Sequence, residues 1–223
     1  GAILGAMAPV VPDSVMASEG ATHCNFVFGG VEAATGEFFA CYDIEAVGWG
    51  GRNFADGNDA CDSINGNCRI IPVEVFETRF PWRVEELALT PDSGGPGEHR
   101  GGLGYSKQML CLNDEIICSQ MTDRHLLAPW GLNGGAEGGT GATLVQKSGN
   151  DGWQTVPEAF GKASTSRFSN ISIKRGERIR LVTPGGGGYG DPKKRDPEIV
   201  SRDVSEGYVT PDAARTHYGM KEG

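Results

Sequence analysis

The sequence lacks the close cysteine pairs of a structural zinc site. Its six cysteines stand at 24, 41, 61, 68, 111 and 118, and the tightest gaps are two C-x6-C spacings, Cys61/Cys68 and Cys111/Cys118. C-x2-C hooks are absent, so a zinc ribbon or finger is not expected. Cys111 and Cys118 lie in apolar contexts, where a free cysteine behaves as a small hydrophobe. Reduced, mostly buried thiols are therefore expected, and with them a cytoplasmic setting.

Long apolar runs are also missing. The most apolar stretch, Gly1 to Val11, is too short to cross a bilayer, and no membrane association is expected. It carries no positively charged leader and does not read as a signal peptide. Gly1-Ala-Ile-Leu-Gly-Ala-Met reads like the interior of an apolar helix, so further sequence upstream is expected.

Basic charge is scarce. The formal net charge is −9, and residues 1–100 carry 15 acidic against 5 basic side chains, a net of −10. No basic stripe with interleaved aromatics exists, which argues against a nucleic-acid partner. The run Lys193-Lys194-Arg195 reads as a solvated turn.

Several catalytic signatures fail on inspection. Gly161-Lys162 is followed by Ala163, so there is no Walker A loop, and neither G-x-S-x-G nor H-E-x-x-H occurs. Gly185-x-Gly187-x-x-Gly190 has dinucleotide-loop spacing, but Asp191-Pro192 and Asp196-Pro197 follow where a helix would hold pyrophosphate. Asp56-Gly-Asn58-Asp59 with Asp62 lacks the glycine and glutamate of a calcium loop and reads as an Asx-rich turn. Asp123-Arg124-His125 offers a general acid or base, against the plainer reading of an Asp-Arg pair tying down a strand end.

Glycine is what the chain has in excess: 35 of 223 residues, about double the usual ~7%. Its clusters at 94–97, 101–104, 134–141 and 185–190 mark corners between short extended runs. Those runs are 25–28, 37–44, 73–80, 82–89, 105–112, 115–121, 142–147, 168–174 and 178–182. The expected fold is mainly β with short helices (α+β). Its core is an antiparallel β-sandwich or barrel, with a short N-terminal helix and two short C-terminal helices, the second capped by Thr210 before Pro211. Three regions are expected: 1–72, the end of an upstream α+β domain with a long Gly/Asx loop; 73–192, an antiparallel β-rich domain; and 193–223, a helical tail.

Taken together the glycine corners carry a resemblance. Pro91-Asp-Ser-Gly-Gly-Pro-Gly-Glu-His-Arg-Gly-Gly-Leu-Gly104, Ala128-Pro-Trp-Gly-Leu-Asn-Gly-Gly135 and Thr183-Pro-Gly-Gly-Gly-Gly-Tyr-Gly-Asp-Pro192 resemble the hydantoinase B/oxoprolinase family. Glu45 with Gly48-Trp-Gly-Gly-Arg52, Asp56-Gly57 and Pro72-Val-Glu-Val-Phe-Glu77 fit it too, as does the tail from Arg195 to Tyr218-Gly219. The resemblance implies the C-terminal portion of a B-type subunit in a hetero-oligomer. Its partners would be an ATP-binding subunit of the hydantoinase A type and the N-terminal half of the B-type subunit. ATP and Mg would sit on the former, and a divalent metal such as Zn or Mn on the latter, with no cofactor or metal held by this chain.

The reaction so implied is ATP-dependent opening of a small cyclic amide, of the 5-oxoproline or hydantoin type, through a phosphorylated carbonyl. The alternatives are an ATP-dependent ketone carboxylase of the acetone or acetophenone type, and a non-catalytic β scaffold. An isolated carbohydrate-binding sandwich fits the β content but not the ordered motifs. Candidate catalytic residues are Glu45, Asp56, Glu74 and Arg124, with Glu77 in the same acidic group. Candidate substrate-binding residues are Arg100, Asp92 and Trp49. An arginine fork suits a carboxylate or phosphoryl group, although Asp92 and Arg100 also read as a structural bridge across their turn.

Overall fold

A computed structural model describes residues 1–220. The chain opens with α1 (Ala2–Met7), a hairpin of β1 (Asn25–Val31) and β2 (Phe38–Ile44), and α2 (Val73–Arg79). The middle holds β3 (Trp82–Leu89), β4 (Tyr105–Cys111), β5 (Glu115–Met121), β6 (Ala142–Gln146), β7 (Gln154–Thr155) and α3 (Val156–Phe160). It ends with β8 (Arg167–Lys174), β9 (Arg178–Val182), α4 (Pro197–Ser205) and α5 (Pro211–Tyr218).

The strands form two antiparallel sheets, ordered β2-β1-β5-β8 and β3-β4-β9-β6-β7. Alternation along each strand turns one apolar row inward, and the rows of the two sheets share one core. Phe26 and Phe28 of β1 and Ile116 and Cys118 of β5 pack in one cluster with Trp82 of β3, Met109 of β4 and Ile179 of β9. The ring of Phe28 meets Phe80 and Trp82 edge-on, at 5.1 and 5.9 Å between centroids. Strand pairing runs across residue 72, where the sequence suggested a boundary, because β1 is hydrogen-bonded on one side to β2 and on the other to β5.

Of residues 73–80, expected as a strand, Val73–Arg79 form helix α2 instead and Phe80 caps it. The apolar residues that reach the core are Phe76 and Phe80, four apart and on one helical face. Glu74 in the first turn and Arg79 in the last suit the helix dipole. Helix α3 was not expected, yet its start is a complete capping box: the Thr155 hydroxyl accepts from Glu158 N, and the Glu158 carboxylate accepts from Thr155 N.

The glycine corners form a second, backbone-only core. Consecutive residues of the 186–188 run each turn to different neighbours. Gly186 donates to Gly102 O (2.8 Å) and accepts from Gly95 N (2.8 Å). Gly187 donates to Ser18 O (2.7 Å) and accepts from Gly51 N (2.8 Å), and Gly188 donates to Ala136 O (2.9 Å) and accepts from Leu132 N (2.9 Å). Neighbours on many sides, in place of the two of a β-ladder, require every approach to be close. A Cβ on Gly186 would fall onto the Trp49 carbonyl, and one on Gly187 onto that of Trp130. The G-x-G-x-x-G run is thus filled by protein backbone.

The tail docks on this layer. Asp196 and Thr210 cap α4 and α5 by accepting from Glu198 N and Ala213 N. Arg195, expected in a solvated turn, is buried instead. Its guanidinium is held by Asp56 at 2.6 and 2.7 Å and by Asp203 at 2.7 Å, so its charge is fully paired. No helix among the described residues is long and apolar enough to cross a membrane.

Gly186→Ala should cost about 3 kcal/mol or more, since the added methyl meets backbone that cannot yield. Gly149→Ala, at φ +78° with open space around it, should cost about 1 kcal/mol, the ordinary penalty for a left-handed alanine. Urea unfolding of the two variants measures the difference; equal losses would contradict the close-packing account.

Candidate functional site

Among the described residues, two buried clusters hold opposite charges around the candidate residues, and they differ in what they face. The first arises from strand alternation. Asp43 lies on β2 and Glu45 just beyond its end, two residues apart; Tyr105 and Lys107 are likewise two apart on β4, in the same inward row as Met109 and Cys111. Facing one another at one end of the sandwich, they form a chain of contacts. Lys107 Nζ donates to Asp43 Oδ2 at 2.7 Å and to Glu45 Oε1 at 2.9 Å, and it stands 4.5 Å above the Phe76 ring. The Tyr105 hydroxyl donates to Glu45 Oε2.

Burial sets the charge states of this group. It pushes the Glu45 carboxyl above the usual carboxylate range, against the pull of Lys107. Burial, reinforced by Glu45, pushes the Tyr105 phenol well up, so it keeps its proton. Burial alone would lower Lys107, but Glu45 and Asp43 outweigh it and hold the ammonium charged.

Beside this cluster lies a cavity of about 780 Å³ whose wall includes the Tyr105 ring. Ile44, Leu87 and Leu89 give it apolar sides, and Trp49, Asp62 and Arg69 also line it. The Gly/Asx loop supplies the last three. Trp49 is fixed by its indole N–H, which donates to Asp62 O at 2.6 Å. The Asp62 carboxylate accepts from Cys68 N (2.9 Å), Ser63 N (2.9 Å) and His23 Nδ1 (3.0 Å). Burial opposes its charge, but these bonds hold it below the usual carboxylate range.

The second cluster is a clamp. Asp56 accepts the Arg195 fork and also Arg100 N at 2.7 Å, while Arg100 Nη1 donates to Asp59 at 3.1 Å and Arg100 Nε lies 3.9 Å from Asp203. Burial would raise Asp56, but Arg195 and then Arg100 hold it below the usual range. This cluster ties the tail to the Gly/Asx loop.

The candidate residues are therefore divided. Glu45 and Trp49 belong to the cluster and the cavity, whereas Asp56 and Arg100 belong to the clamp. Glu74 is exposed in the first turn of α2, and Glu77 accepts from Val84 N at 2.6 Å, so the four acidic residues do not converge. The expected Asp92–Arg100 bridge does not form. Asp92 instead accepts from Thr210 N at 2.8 Å and donates its own N–H to Tyr208 O, holding the start of α5. Arg124 donates to Ser18 Oγ (3.0 Å) and Ala128 O (3.3 Å). Asp123 pairs with Arg167 rather than Arg124, and burial lowers the His125 pKa, keeping that ring neutral.

Lys107, Tyr105 and Asp43 were missed. The signal was present: a lysine in register with Met109 and Cys111 on a buried strand face requires carboxylate partners. All six cysteines are free thiols. Burial pushes Cys24 up to about 12, and Cys41 and Cys111 up to about 11, which leaves them unreactive. Among the described residues no group of three or more His, Cys, Asp or Glu gathers to hold a metal ion.

The family model described as Hydantoinase B/oxoprolinase matches residues 1–192. The chain is 33% identical over 219 residues to the B-type subunit of the "Putative D-/L-hydantoinase" of Pseudomonas sp. (strain NS671), a match covering 98% of this chain and 35% of that protein. The crystal structure of ATP-dependent caprolactamase from Pseudomonas jessenii superposes with a TM-score of 0.83 at 25% identity, over 98% of this chain and 37% of that one. Nucleotide-free acetone carboxylase shares the fold, with a TM-score of 0.73 at 21% identity over 96% of this chain and 31% of that chain. The chain thus spans about a third of the length of the relatives it matches.

Lys107→Met should lower the unfolding free energy by about 3–5 kcal/mol, because two buried carboxylates lose their counter-charge. The folded pKa of Glu45, already raised by burial, then rises further, so stability falls as pH rises and the loss is larger at pH 8 than at pH 5. Urea titrations at the two pH values measure this, and a loss independent of pH would refute it. The clamp has the opposite sign. Asp56 is held low, so its stabilisation is present above its unfolded value of about 3.9 and is lost as pH falls below that. Amide protection of α4 and α5, corrected for intrinsic exchange, should drop below about pH 4, and Asp56→Asn should abolish that step.

Proposed function

The chain belongs to the hydantoinase B/oxoprolinase family, and from that premise we propose that it is part of the B-type subunit of an ATP-dependent enzyme that opens a small cyclic amide. The observation that carries the reading is the match to a hydantoinase B-type chain over 98% of this one. A second cyclic-amide enzyme, caprolactamase, supports it through the fold at 25% identity. The acetone carboxylase likeness, at 21% identity, speaks for the fold alone.

Among the described residues, the one run with phosphate-loop spacing does not fit a nucleotide, and no donor set fits a metal. The glycine run with phosphate-loop spacing is packed against Trp49, Trp130 and Pro96 backbone, and the described residues gather no metal donor set. In the proposed complex, ATP and Mg belong to a hydantoinase A-type subunit, and a divalent metal such as Zn or Mn belongs to the N-terminal half of the B-type subunit. ATP there supplies the phosphoryl group that activates the amide carbonyl. The proposed setting is cytoplasmic, consistent with six thiols and no disulfide.

What this chain contributes, in our reading, is the cavity beside Tyr105. Its volume of about 780 Å³ suits a small ring, and binding pockets of that kind combine apolar walls with few polar groups. Ile44, Leu87 and Leu89 take the ring's methylene groups against the fixed plane of Trp49. Arg69 offers its fork to an anionic group, and Tyr105, whose phenol keeps its proton and donates to Glu45, lines the wall. The second reading, a non-catalytic scaffold, draws support from the structural use of Asp56, Asp92, Arg100 and Arg124.

ATP turnover by the complex containing this chain, with cyclic amides and with ketones, each with and without bicarbonate, separates the reactions. Stimulation by a cyclic amide alone is expected; a requirement for ketone plus bicarbonate would make the enzyme a carboxylase. Tyr105→Phe and Arg69→Ala should each lower amide-dependent kcat/KM about tenfold or more, a loss of about 1.4 kcal/mol in transition-state stabilisation. If both variants assemble normally and turn over fully, the scaffold reading stands.

A further inference from the structure

One surface of the molecule is apolar without being covered. Residues 1–12 contain no ionisable side chain, and none of the residues of α1 is buried. Ile3 and Val10 are 75% and 79% exposed. A helix apolar on every side belongs in an interior, not in water. The loop after β5 adds two adjacent leucines, Leu126 and Leu127, exposed to 87% and 74%.

These two features form one patch. A methyl built on Gly5 of α1 would touch the Trp130 ring at 3.5 Å, and one on Gly1 would lie 3.5 Å from the Arg124 guanidinium. A hollow of about 540 Å³ between α1 and Trp130 is lined by Gly5, Ala8, Pro9, Pro12 and Leu132. The leucine loop is held in shape from below. Arg124 sits at φ +64°, and its guanidinium donates to Ala128 O across the loop and to Ser18 Oγ. Leu126 and Leu127 are therefore presented outward by a braced turn. Scattered exposed hydrophobics are ordinary, but a contiguous patch of this kind marks an interface.

We infer that this patch is where the remainder of a B-type subunit packs onto the chain. The inference rests on the reading of the chain as part of such a subunit. In the caprolactamase structure the matched portion is 37% of the chain, and in the hydantoinase relative it is 35%. Nearly two thirds of each relative therefore lies outside the matched unit and needs a surface to dock on. Helix α1 and the two leucines carry no charged side chain, and the Arg124 guanidinium beside them is already held by Ser18 and Ala128, so the patch selects an apolar counterpart. The hollow beside Trp130 would receive a protruding side chain of that counterpart.

The test uses the chain co-expressed with polypeptides supplying the rest of the B-type subunit and the A-type subunit. Photo-crosslinking amino acids are placed at position 3 and at position 127, and the adducts are identified by mass spectrometry. Adducts at both positions to the rest of the B-type subunit are the expected result. Adducts to the A-type subunit, adducts to a second copy of this chain, or none at all in an assembled complex would overturn the inference. The pair Ile3→Asp and Leu127→Asp should weaken the association at least tenfold, while the melting temperature of the isolated chain stays unchanged. Amide-stimulated ATP turnover of the wild-type complex reports separately on the proposed function.

Discussion

Peptide groups in the glycine layer approach so closely that no side chain can stand between them, and the rest of the structure hangs from that contact. The 186–188 run takes hydrogen bonds from Gly95, Gly51 and Leu132 and gives them to Gly102, Ser18 and Ala136. Each of those segments leads somewhere that matters. Gly51 and Gly102 anchor the loop that carries Trp49 and Asp62 to the cavity. Gly95 and Gly102 flank Arg100, whose carboxylate partners come from the same loop and from α4. Directional hydrogen bonds between rigid backbones thus do here what interdigitating side chains do in the sandwich.

Ionisable groups are used in two distinct ways around that layer. In the clamp, Arg195 and Arg100 meet Asp56, Asp59 and Asp203, and every charge has an opposite within reach. Such pairing fixes the tail's position but leaves nothing over for chemistry. In the sandwich, Lys107 is the one ammonium contacting both Asp43 and Glu45. The Tyr105 phenol, kept protonated by burial, donates to the Glu45 carboxylate. What sets this second cluster apart is its place, because its member Tyr105 also lines the cavity.

The β-strands were legible because alternation and glycine punctuation agree, and β5 and β9 have the bounds that the pattern suggests. Residues 73–80 misled because weak alternation in a short run cannot outweigh a pair of phenylalanines four apart. Arg195 misled for another reason. A basic triplet reads as solvated until a distant Asp56 and Asp203 are brought together by the fold. Asp92 and Arg100 are near in sequence, yet Asp92 finds its partner in the tail at Thr210 and Arg100 finds its own in the loop at Asp59. Within the site, Glu45 and Trp49 were visible through the family motif, while Lys107 hides in a strand whose other inward members are apolar.

The glycine layer also governs the order in which the molecule comes together. Its contacts join residues far apart in the chain, Ser18 with Gly187 and Gly51 with Gly187, so closing it confines long loops before any side-chain burial compensates. High contact order of this kind slows folding. The sandwich shares this burden, because β1–β5, β4–β9, β5–β8 and β6–β9 pair strands far apart in the chain. The loop that frames the cavity is bonded to the 184–190 segment through Gly48 and Gly51, so the cavity wall takes shape together with the glycine layer and not before it.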